Sequence, residues 1–215
     1  MCVAKGRRAF TLIEILLAAG IASAIATVMV AFLITSLQAQ ARMAVRVDVQ
    51  EQGMMACNRV ARDLQSTVLG GVSLRKSSAS EPEVLALHPL VSVSSHDPPA
   101  QIFSRQVVVY SWTPGQRRIF RQLWPPDPNL PPAGSVPNAF RPFRVDQANL
   151  LSIATTPSPN QQSFGGDVTA FNVTTPSQAP LVSAPITLTI SLSKTVKGKP
   201  YDYTISRQLS LRNSD

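Results

Sequence analysis

Three basic side chains stand directly before a long apolar run, and one carboxylate stands near the head of that run. The cations are Lys5, Arg7 and Arg8, and the carboxylate is Glu14. A charged side chain inside an apolar membrane segment costs about 2.5–3.5 kcal/mol on insertion scales and needs a partner. The chemistry that this pattern predicts for Glu14 is therefore ion pairing in a medium of low dielectric constant.

The apolar run is long enough to cross a bilayer. The segment from Ile15 to Leu37 carries no charged side chain. At 1.5 Å per residue it extends about 34 Å as a helix, which spans the hydrocarbon core. Because the cations precede the run, the positive-inside rule predicts a cytoplasmic N-terminus and a translocated C-terminal part.

The sequence around Phe10, KGRRAFTLIE followed by the apolar run, resembles the class III signal of type IV prepilins and of type II secretion pseudopilins. The resemblance implies that a prepilin peptidase cuts between Ala9 and Phe10 and that the new amine of Phe10 is methylated. It also implies that Glu14 meets the amine of an adjacent subunit and fixes the register between helices. Two other interpretations are a secretory signal peptide, cut after Ala39-Gln40-Ala41, and an uncleaved signal anchor.

The chain is expected to have four parts. Residues 1–9 are a basic leader that is removed, 10–37 a transmembrane and assembly helix, 38–71 its amphipathic continuation, and 72–215 a periplasmic or extracellular β-rich domain. All 18 prolines lie at or beyond Pro82, so no proline interrupts the helix. The pair Gly70-Gly71 is predicted to end it.

Beyond the membrane segment the pattern becomes amphipathic. Apolar or small residues recur in alternating steps of four and three, which is one stripe of a helix. From this stripe we expect packing between helix and sheet at Val47, Met54, Cys57, Leu64 and Val68. Since Cys2 leaves with the leader, the mature chain would hold only Cys57 and form no intramolecular disulfide. Burial is expected for Cys57, with an intermolecular disulfide or a reactive thiol as the alternatives.

The C-terminal part shows strand patterns separated by turn residues. Two hairpins are predicted, 107–112 with 118–123 around a Pro-Gly turn, and 186–192 with 203–211. Further strand candidates are 84–87, 143–153 and 168–174. The fold class predicted from these features is α+β, with one long N-terminal helix packed on an antiparallel sheet. The resemblance implies the lollipop outline of pilin-like proteins.

The charge is basic but diffuse. The formal net charge is +8, and loss of the three leader cations leaves +5. This balance does not by itself indicate nucleic acid. A possible anion-binding patch, with a solvated or subunit-facing edge as the alternative, comprises Arg105, Arg117, Arg118 and Arg121.

No enzyme, metal site or cofactor is predicted. His88 and His96 lack cysteines or paired carboxylates at ligand spacing. The sequence contains no nucleophile motif and no phosphate-binding glycine loop.

The function predicted is that of a minor pilin, a subunit that helps to initiate or cap a type IV pilus. Minor status is favoured by Ala31, at the position where major pilins carry a helix-melting proline.

A VxYxW strand and a terminal LSLRN resemble minor pilins of the PilW type and J-type minor pseudopilins. The alternatives are a minor pseudopilin of a type II secretion system and, in another class, a DNA-binding competence pilin or a pilus adhesin. The implied partners are prepilin peptidase, other minor and major pilins or pseudopilins, and the inner membrane. The chain would cross that membrane once and then occupy a pilus or pseudopilus tip.

Overall fold

A computed structural model describes residues 11–78, 81–95, 100–129, 137, 139–156, 158–177, 182–196 and 198–211. The chain divides into two compact units, Met1–Val45 and Arg46–Asp215. Helix α1, Leu12–Gln65, contributes to both of them.

The described part of the first unit is almost entirely helical. Its segment of α1 is exposed on every face, and Leu12, Val28 and Phe32 are each at least 70% exposed. Within the described residues, α1 is the one helix that is long and apolar enough to cross a membrane. This helix fits a single-pass membrane protein. The helix is long because the sequence has no proline before Pro82 that would interrupt it.

The second unit contains the end of α1, a short helix and antiparallel strands, the α+β layout that the sequence predicts. The elements after α1 are β1 Thr67–Arg75, β2 Glu83–Val93, β3 Gln101–Phe103, β4 Val107–Trp112, β5 Ile119–Trp124, α2 Gln147–Thr155, β6 Gln162–Phe164, β7 Val168–Thr174, β8 Ile186–Val196 and β9 Lys199–Leu209.

The first sheet has the strand order β1-β2-β4-β5-β6, and β3 pairs with the end of β2. Strands β4 and β5 form the first predicted hairpin, with Val107 opposite Trp124 and Trp112 opposite Ile119. All six residues of β4 are buried, because this strand lies in the middle of the sheet with neighbours on both sides.

The second sheet has the order β7-β8-β9. Strands β8 and β9 form the second predicted hairpin, which confirms that prediction and extends both strands towards the turn. Ile186, Leu188, Ile190 and Leu192 alternate with more exposed residues and are at most 1% exposed. This alternation buries one face of the sheet, as a period of two requires.

Residues 46–65 of α1 pack on both sheets through a face that only partly overlaps the predicted stripe: Cys57 and Leu64 are buried, as predicted. Val47 and Met54 are 59% and 47% exposed, so the prediction that they pack under the sheet is wrong. The buried face is rotated from that stripe by about 60°, at 100° per residue. It is formed by Val49, Gly53, Ala56, Cys57, Val60, Ala61 and Leu64.

Small residues explain this rotation. A Cβ on Gly53 would approach Cδ1 of Leu192 to 2.9 Å and Cδ1 of Tyr203 to 3.0 Å. The helix therefore lies close to the second sheet at a position that has no side chain. The larger side chains of Val47 and Met54 lie outside this contact and remain exposed.

Helix α1 ends earlier than predicted. Its last residue is Gln65, and strand β1 begins at Thr67, so the expected helix through residue 71 is wrong. Val68 is buried, but in a strand. Gly71 lies at a bulge between Thr67 and Val72, where an added Cβ would meet the carbonyl oxygen of His88 at 3.0 Å. The glycines thus serve a close approach between strands.

The predicted strand at 143–153 is wrong, because most of this segment forms helix α2. Asp146 is the N-cap of this helix, and its Oδ1 accepts a hydrogen bond from the N–H of Asn149 at 2.8 Å. Leu150 and Ile153, spaced three residues apart, are the buried residues of α2. They join a core cluster with Val84 and other residues of β2 and β4. The predicted strands at 84–87 and 168–174 are confirmed within β2 and as β7.

Candidate functional site

The head of α1 is closed by reciprocal hydrogen bonds between Thr11 and Glu14. The backbone N–H of Thr11 donates to Oε2 of Glu14 at 2.9 Å, and the N–H of Glu14 donates to Oγ1 of Thr11 at 3.4 Å. This is a capping box, in which Thr and Glu three residues apart satisfy free N–H groups at a helix start. Glu14 therefore acts within its own chain, a role that the spacing of Thr11 and Glu14 signals in the sequence.

Beyond this cap the surface of α1 is apolar as far as Leu37. Both of its threonine hydroxyl groups are satisfied within the helix, since Oγ1 of Thr27 donates to the carbonyl of Ser23 and Oγ1 of Thr35 to that of Phe32, both at 2.8 Å. A surface of this kind is suited to lipid or to other apolar helices. The exposed large apolar side chains of the segment are Leu12, Ile13, Ile15, Leu16, Leu17, Ile21, Ile25, Val28, Met29, Val30, Phe32, Leu33, Ile34 and Leu37.

The remaining residues of the predicted processing signal lie outside the described residues. They are Lys5, Arg7, Arg8, Ala9 and Phe10.

Cys57 lies on the buried face of α1 with no exposed surface. Burial raises the pKa of its thiol above the usual value. Because the thiolate is the reactive form, this environment suits a packed side chain better than a nucleophile or a disulfide partner.

A polar cluster joins α1 to the centre of the first sheet. The phenol of Tyr110 donates to Oδ2 of Asp63 at 2.5 Å, and Nε of Arg121 donates to the same oxygen at 3.1 Å. Burial and the adjacent carboxylate raise the pKa of Tyr110 far above its usual value, so the phenol stays a donor. The Asp63 carboxylate is thus fixed by two neighbouring strands, β4 and β5.

A fully buried carboxylate joins the two sheets. Glu83 at the start of β2 is 3% exposed, and its Oε1 accepts a hydrogen bond from the N–H of Val173 in β7 at 2.7 Å. Lys76 lies 3.4 Å from the same oxygen and also donates to the carbonyl of Val173. Burial raises the pKa of the Glu83 carboxyl. Sequence reasoning missed this residue because its partner lies 90 positions away.

His88 is a third buried polar group. The N–H of Phe143 donates to its Nδ1 at 2.9 Å, which leaves Nε2 to donate to the carbonyl of Ser104 at 2.6 Å. The ring also stacks on Phe103, with ring centroids 5.0 Å apart. Burial lowers the pKa of His88, and both nitrogens are occupied in the neutral form. This histidine holds β2, the end of β3 and the segment before α2 together.

The four arginines of the possible anion-binding patch do not form one cluster. Arg105 lies before β4, whereas Arg117 and Arg118 lie beyond its other end, a strand of six residues or about 20 Å away. Arg117 pairs with Asp167 at 3.1 Å. Arg121 is bound to Asp63. The four arginines therefore do not offer one continuous cationic surface around the hairpin.

Two clefts among the described residues adjoin α2. The larger, of about 320 Å³ and lined by Phe120, Ala154 and Gln161, is at the lower limit of the roughly 300–1,000 Å³ of most small-molecule sites. The smaller, of about 190 Å³, lies between β5 and α2 and is lined by Gln122, Trp124 and Ile153. Its volume is below that range. Within the described ranges, no group of three or more His, Cys, Asp or Glu residues is placed to hold a metal ion.

Comparison of this chain with known protein families, with curated proteins and with solved structures finds no match. The candidate site is therefore defined by its own geometry: an exposed apolar helix with a capped carboxylate at its head, and three buried polar contacts that fix the β-rich unit.

Proposed function

We propose that this chain is a minor subunit of a type IV pilus, anchored in the inner membrane by the first half of α1. The observation that carries the proposal is the exposed apolar surface from Leu12 to Leu37, in which Glu14 is the single ionisable side chain. Lipid covers such a surface in a monomer, and the apolar helices of neighbouring subunits cover it in an assembly.

Maturation follows from the resemblance at the head of the helix. A prepilin peptidase removes residues 1–9, and the methylated amine of Phe10 becomes the cation that approaches a neighbouring Glu14. A lone charge in an apolar bundle is costly, and a pair offsets much of that cost. The same pairing fixes the register between two helices.

The form of α1 supports a minor role. The helix is unbroken from Leu12 to Gln65 and passes through Ala31 without a kink-forming proline. A chain that does not melt its helix there is expected to join other subunits in low copy. It is not expected to polymerise alone.

The mature N-terminus provides the test. Mass analysis of the protein extracted from membranes should find methylated Phe10, and an Ala9→Glu variant should keep its leader because a long acidic side chain replaces a small one at the cut. A wild-type protein that begins at Met1 is an uncleaved anchor. One that begins at Arg42 carried a secretory signal peptide, and either result rejects the proposal.

A deletion strain separates the pilus from the related secretion machinery. Loss of this chain should reduce the number of surface pili and leave the export of secreted enzymes unchanged. Reduced export with a normal number of pili would assign the chain to a type II secretion system instead.

A further inference from the structure

Strand β9 forms an open edge of the second sheet. It pairs with β8 along eleven consecutive residues, from Lys199 to Leu209, without a bulge. No described residue pairs with its other side, since the sheet ends there in the order β7-β8-β9. No hydrogen bond from any described residue outside the hairpin reaches the backbone of β9. Every second N–H and C=O group of the strand is therefore directed outward without a partner among the described residues.

Strand β1 forms an edge of the first sheet, and side chains bind backbone groups on its outer side. Nε of Arg144 donates to the carbonyl of Gly70 at 3.1 Å, and Nε2 of Gln147 donates to that of Leu74 at 2.9 Å. The segment before α2 thus occupies the outer side of β1.

The edges of the shorter strands are closed as well. In β7, Glu83 and Lys76 bind the N–H and the carbonyl of Val173. In β3, the N–H of Phe103 donates to the carbonyl of Ala139 at 2.8 Å. Strand β6 is only three residues long. Short or covered edges are the usual protection against strand addition, so the long edge of β9 differs from all of these.

The face of β9 that contacts α1 is incompletely covered. Ile190 and Leu192 of β8 are at most 1% exposed, whereas the residues opposite them, Ile205 and Tyr203, are only half-buried. Tyr201 continues this row and is also half-buried. A further strand beside β9 would place side chains against the row at the distance of cross-strand pairs.

The same row contains a cation that pairs with no carboxylate of the described residues. Arg207 donates to the side chain of Asn58 at 2.9 Å, and no ion pair among the described residues includes it. Asp202 and Arg207 are the charged residues between Tyr201 and Leu209. They point to opposite faces of the strand, since an odd number of positions separates them.

This arrangement distinguishes a partner strand from a second copy of the chain. Residues directly opposite each other in an antiparallel pair point to the same face. Two β9 strands related by a two-fold axis therefore never place Asp202 opposite Arg207. A strand from another protein is free to carry an acidic residue at that position.

We propose that β9 is a docking edge for an extended segment of a partner protein, which adds as an antiparallel strand along Tyr201–Leu209. The segment carries apolar side chains opposite Ile205 and Tyr203 and a carboxylate opposite Arg207. This proposal concerns an edge of the β-rich unit and does not depend on the pilus function proposed for α1.

The test uses the full-length chain in detergent micelles and a capped nine-residue peptide, TKETVTIKT, which has this pattern. Hydrogen exchange should show alternate amides of β9 unprotected in the protein alone and protected with peptide, and fluorescence anisotropy should give saturable binding. The control peptide has the same side chains but carries N-methyl groups on the amides that face β9. Its affinity should fall at least about tenfold, because each lost hydrogen bond in a strand pair costs about that factor.

A protein variant tests the same edge from the other side. Ile205→Lys places a charge in the row that the peptide must cover and should abolish binding, whereas Thr204→Lys on the opposite face should not. Protection of the β4 amides shows whether each variant is folded, and the N-methylated peptide tests the edge without changing the protein.

Three results would overturn the proposal. They are absence of saturable binding by the matched peptide, equal binding by the N-methylated peptide, and β9 protection that rises with protein concentration in the absence of peptide. The last result would show that the edge pairs with a second copy of the chain.

Discussion

The phenol oxygen of Tyr110 lies 2.5 Å from Oδ2 of Asp63, and this contact joins the middle strand of the first sheet to helix α1. Nε of Arg121 shares the same carboxylate oxygen at 3.1 Å. The three side chains are partly or fully buried, so the hydrogen bonds are shielded from water and fix the rotation of α1 over the sheet.

Removing the hydroxyl of Tyr110 should lower the stability of the β-rich unit. Tyr110→Phe keeps the ring and leaves Asp63 with one donor fewer. Hydrogen bonds to charged groups contribute about 1.5–3 kcal/mol, and we expect a loss in that range. Denaturant unfolding followed by tryptophan fluorescence measures it, with Tyr203→Phe as the matched control, expected within about 0.5 kcal/mol of wild type. An equal loss in both variants would mean that the Asp63 contact adds nothing.

The buried face of α1 provides a second pair of variants. Leu64 has no exposed surface, whereas Met54 is 47% exposed. Leu64→Asp removes a packed side chain and buries an unpaired charge, so it should cost about 3–5 kcal/mol. Met54→Asp places the same charge in solvent and should cost less than about 1 kcal/mol. The denaturant concentrations at which the two variants unfold, measured in the same detergent, show whether their losses of stability differ. Similar losses would place Met54 on the packed face after all.

These two residues also show where sequence reasoning reaches its limit. The spacing of apolar side chains marks a helix and one side of it, but steps of three and four fit several neighbouring faces. The face that packs is chosen by the close approach of Gly53 to Leu192 and Tyr203. That contact spans about 140–150 positions of the chain, and no local pattern encodes it.

The hairpins were predictable because their information is local. A turn and a period of two define β4 with β5 and β8 with β9, including which residues of β8 are buried. Helix α2 is hard to predict because nine residues give only a short apolar pattern, and its clearest signal is the N-cap Asp146. Strand β1 is hard to predict because the pair Gly70-Gly71 resembles the end of a helix.

The polar contacts of the site also divide into local contacts, which the sequence reveals, and long-range contacts, which it does not. The cap between Thr11 and Glu14 is visible in the sequence, since the two residues are three positions apart. The contact of Glu83 with Val173 and that of His88 with Phe143 join residues 90 and 55 positions apart. They arise only when the sheets are assembled.

His88 should make the stability of the β-rich unit depend on pH. Burial lowers its pKa below the usual 6.5, so the unfolded chain binds the proton more readily than the folded one. The contribution of neutral His88 is therefore complete above pH 6.5 and decreases as the pH falls from 6.5 towards the lower pKa of the folded state. Protonation would also turn Nδ1 into a donor, so that it could no longer accept the hydrogen bond that the N–H of Phe143 donates to it at 2.9 Å.

The measurement is the free energy of unfolding at several pH values between 5 and 8. His88→Gln keeps a side-chain amide but cannot titrate, and its curve should be flatter than that of wild type below pH 6.5. The difference between the two curves isolates His88 from the other titrating groups. Parallel curves would show that the ring protonates without loss of its contacts.

The last prediction separates two roles of Glu14. Its carboxylate caps α1 by accepting from the N–H of Thr11 at 2.9 Å, and it is proposed to pair with the amine of a neighbouring Phe10. Glu14→Gln retains an oxygen for the cap, since Gln serves at this position of a capping box, but it removes the charge. Glu14→Val removes both the cap and the charge.

If the ion pair sets the register between helices, both variants should be cleaved before Phe10, and both should lose the pilin-like chains that co-purify with wild type in detergent. Thr11→Ala weakens the cap, keeps the charge and should retain those partners. Since an unpaired charge in an apolar bundle is costly, the loss in the Gln variant should be as severe as in the Val variant. Normal assembly of Glu14→Gln with failure of Glu14→Val would instead assign Glu14 to the cap alone, and normal assembly of both would remove it from assembly altogether.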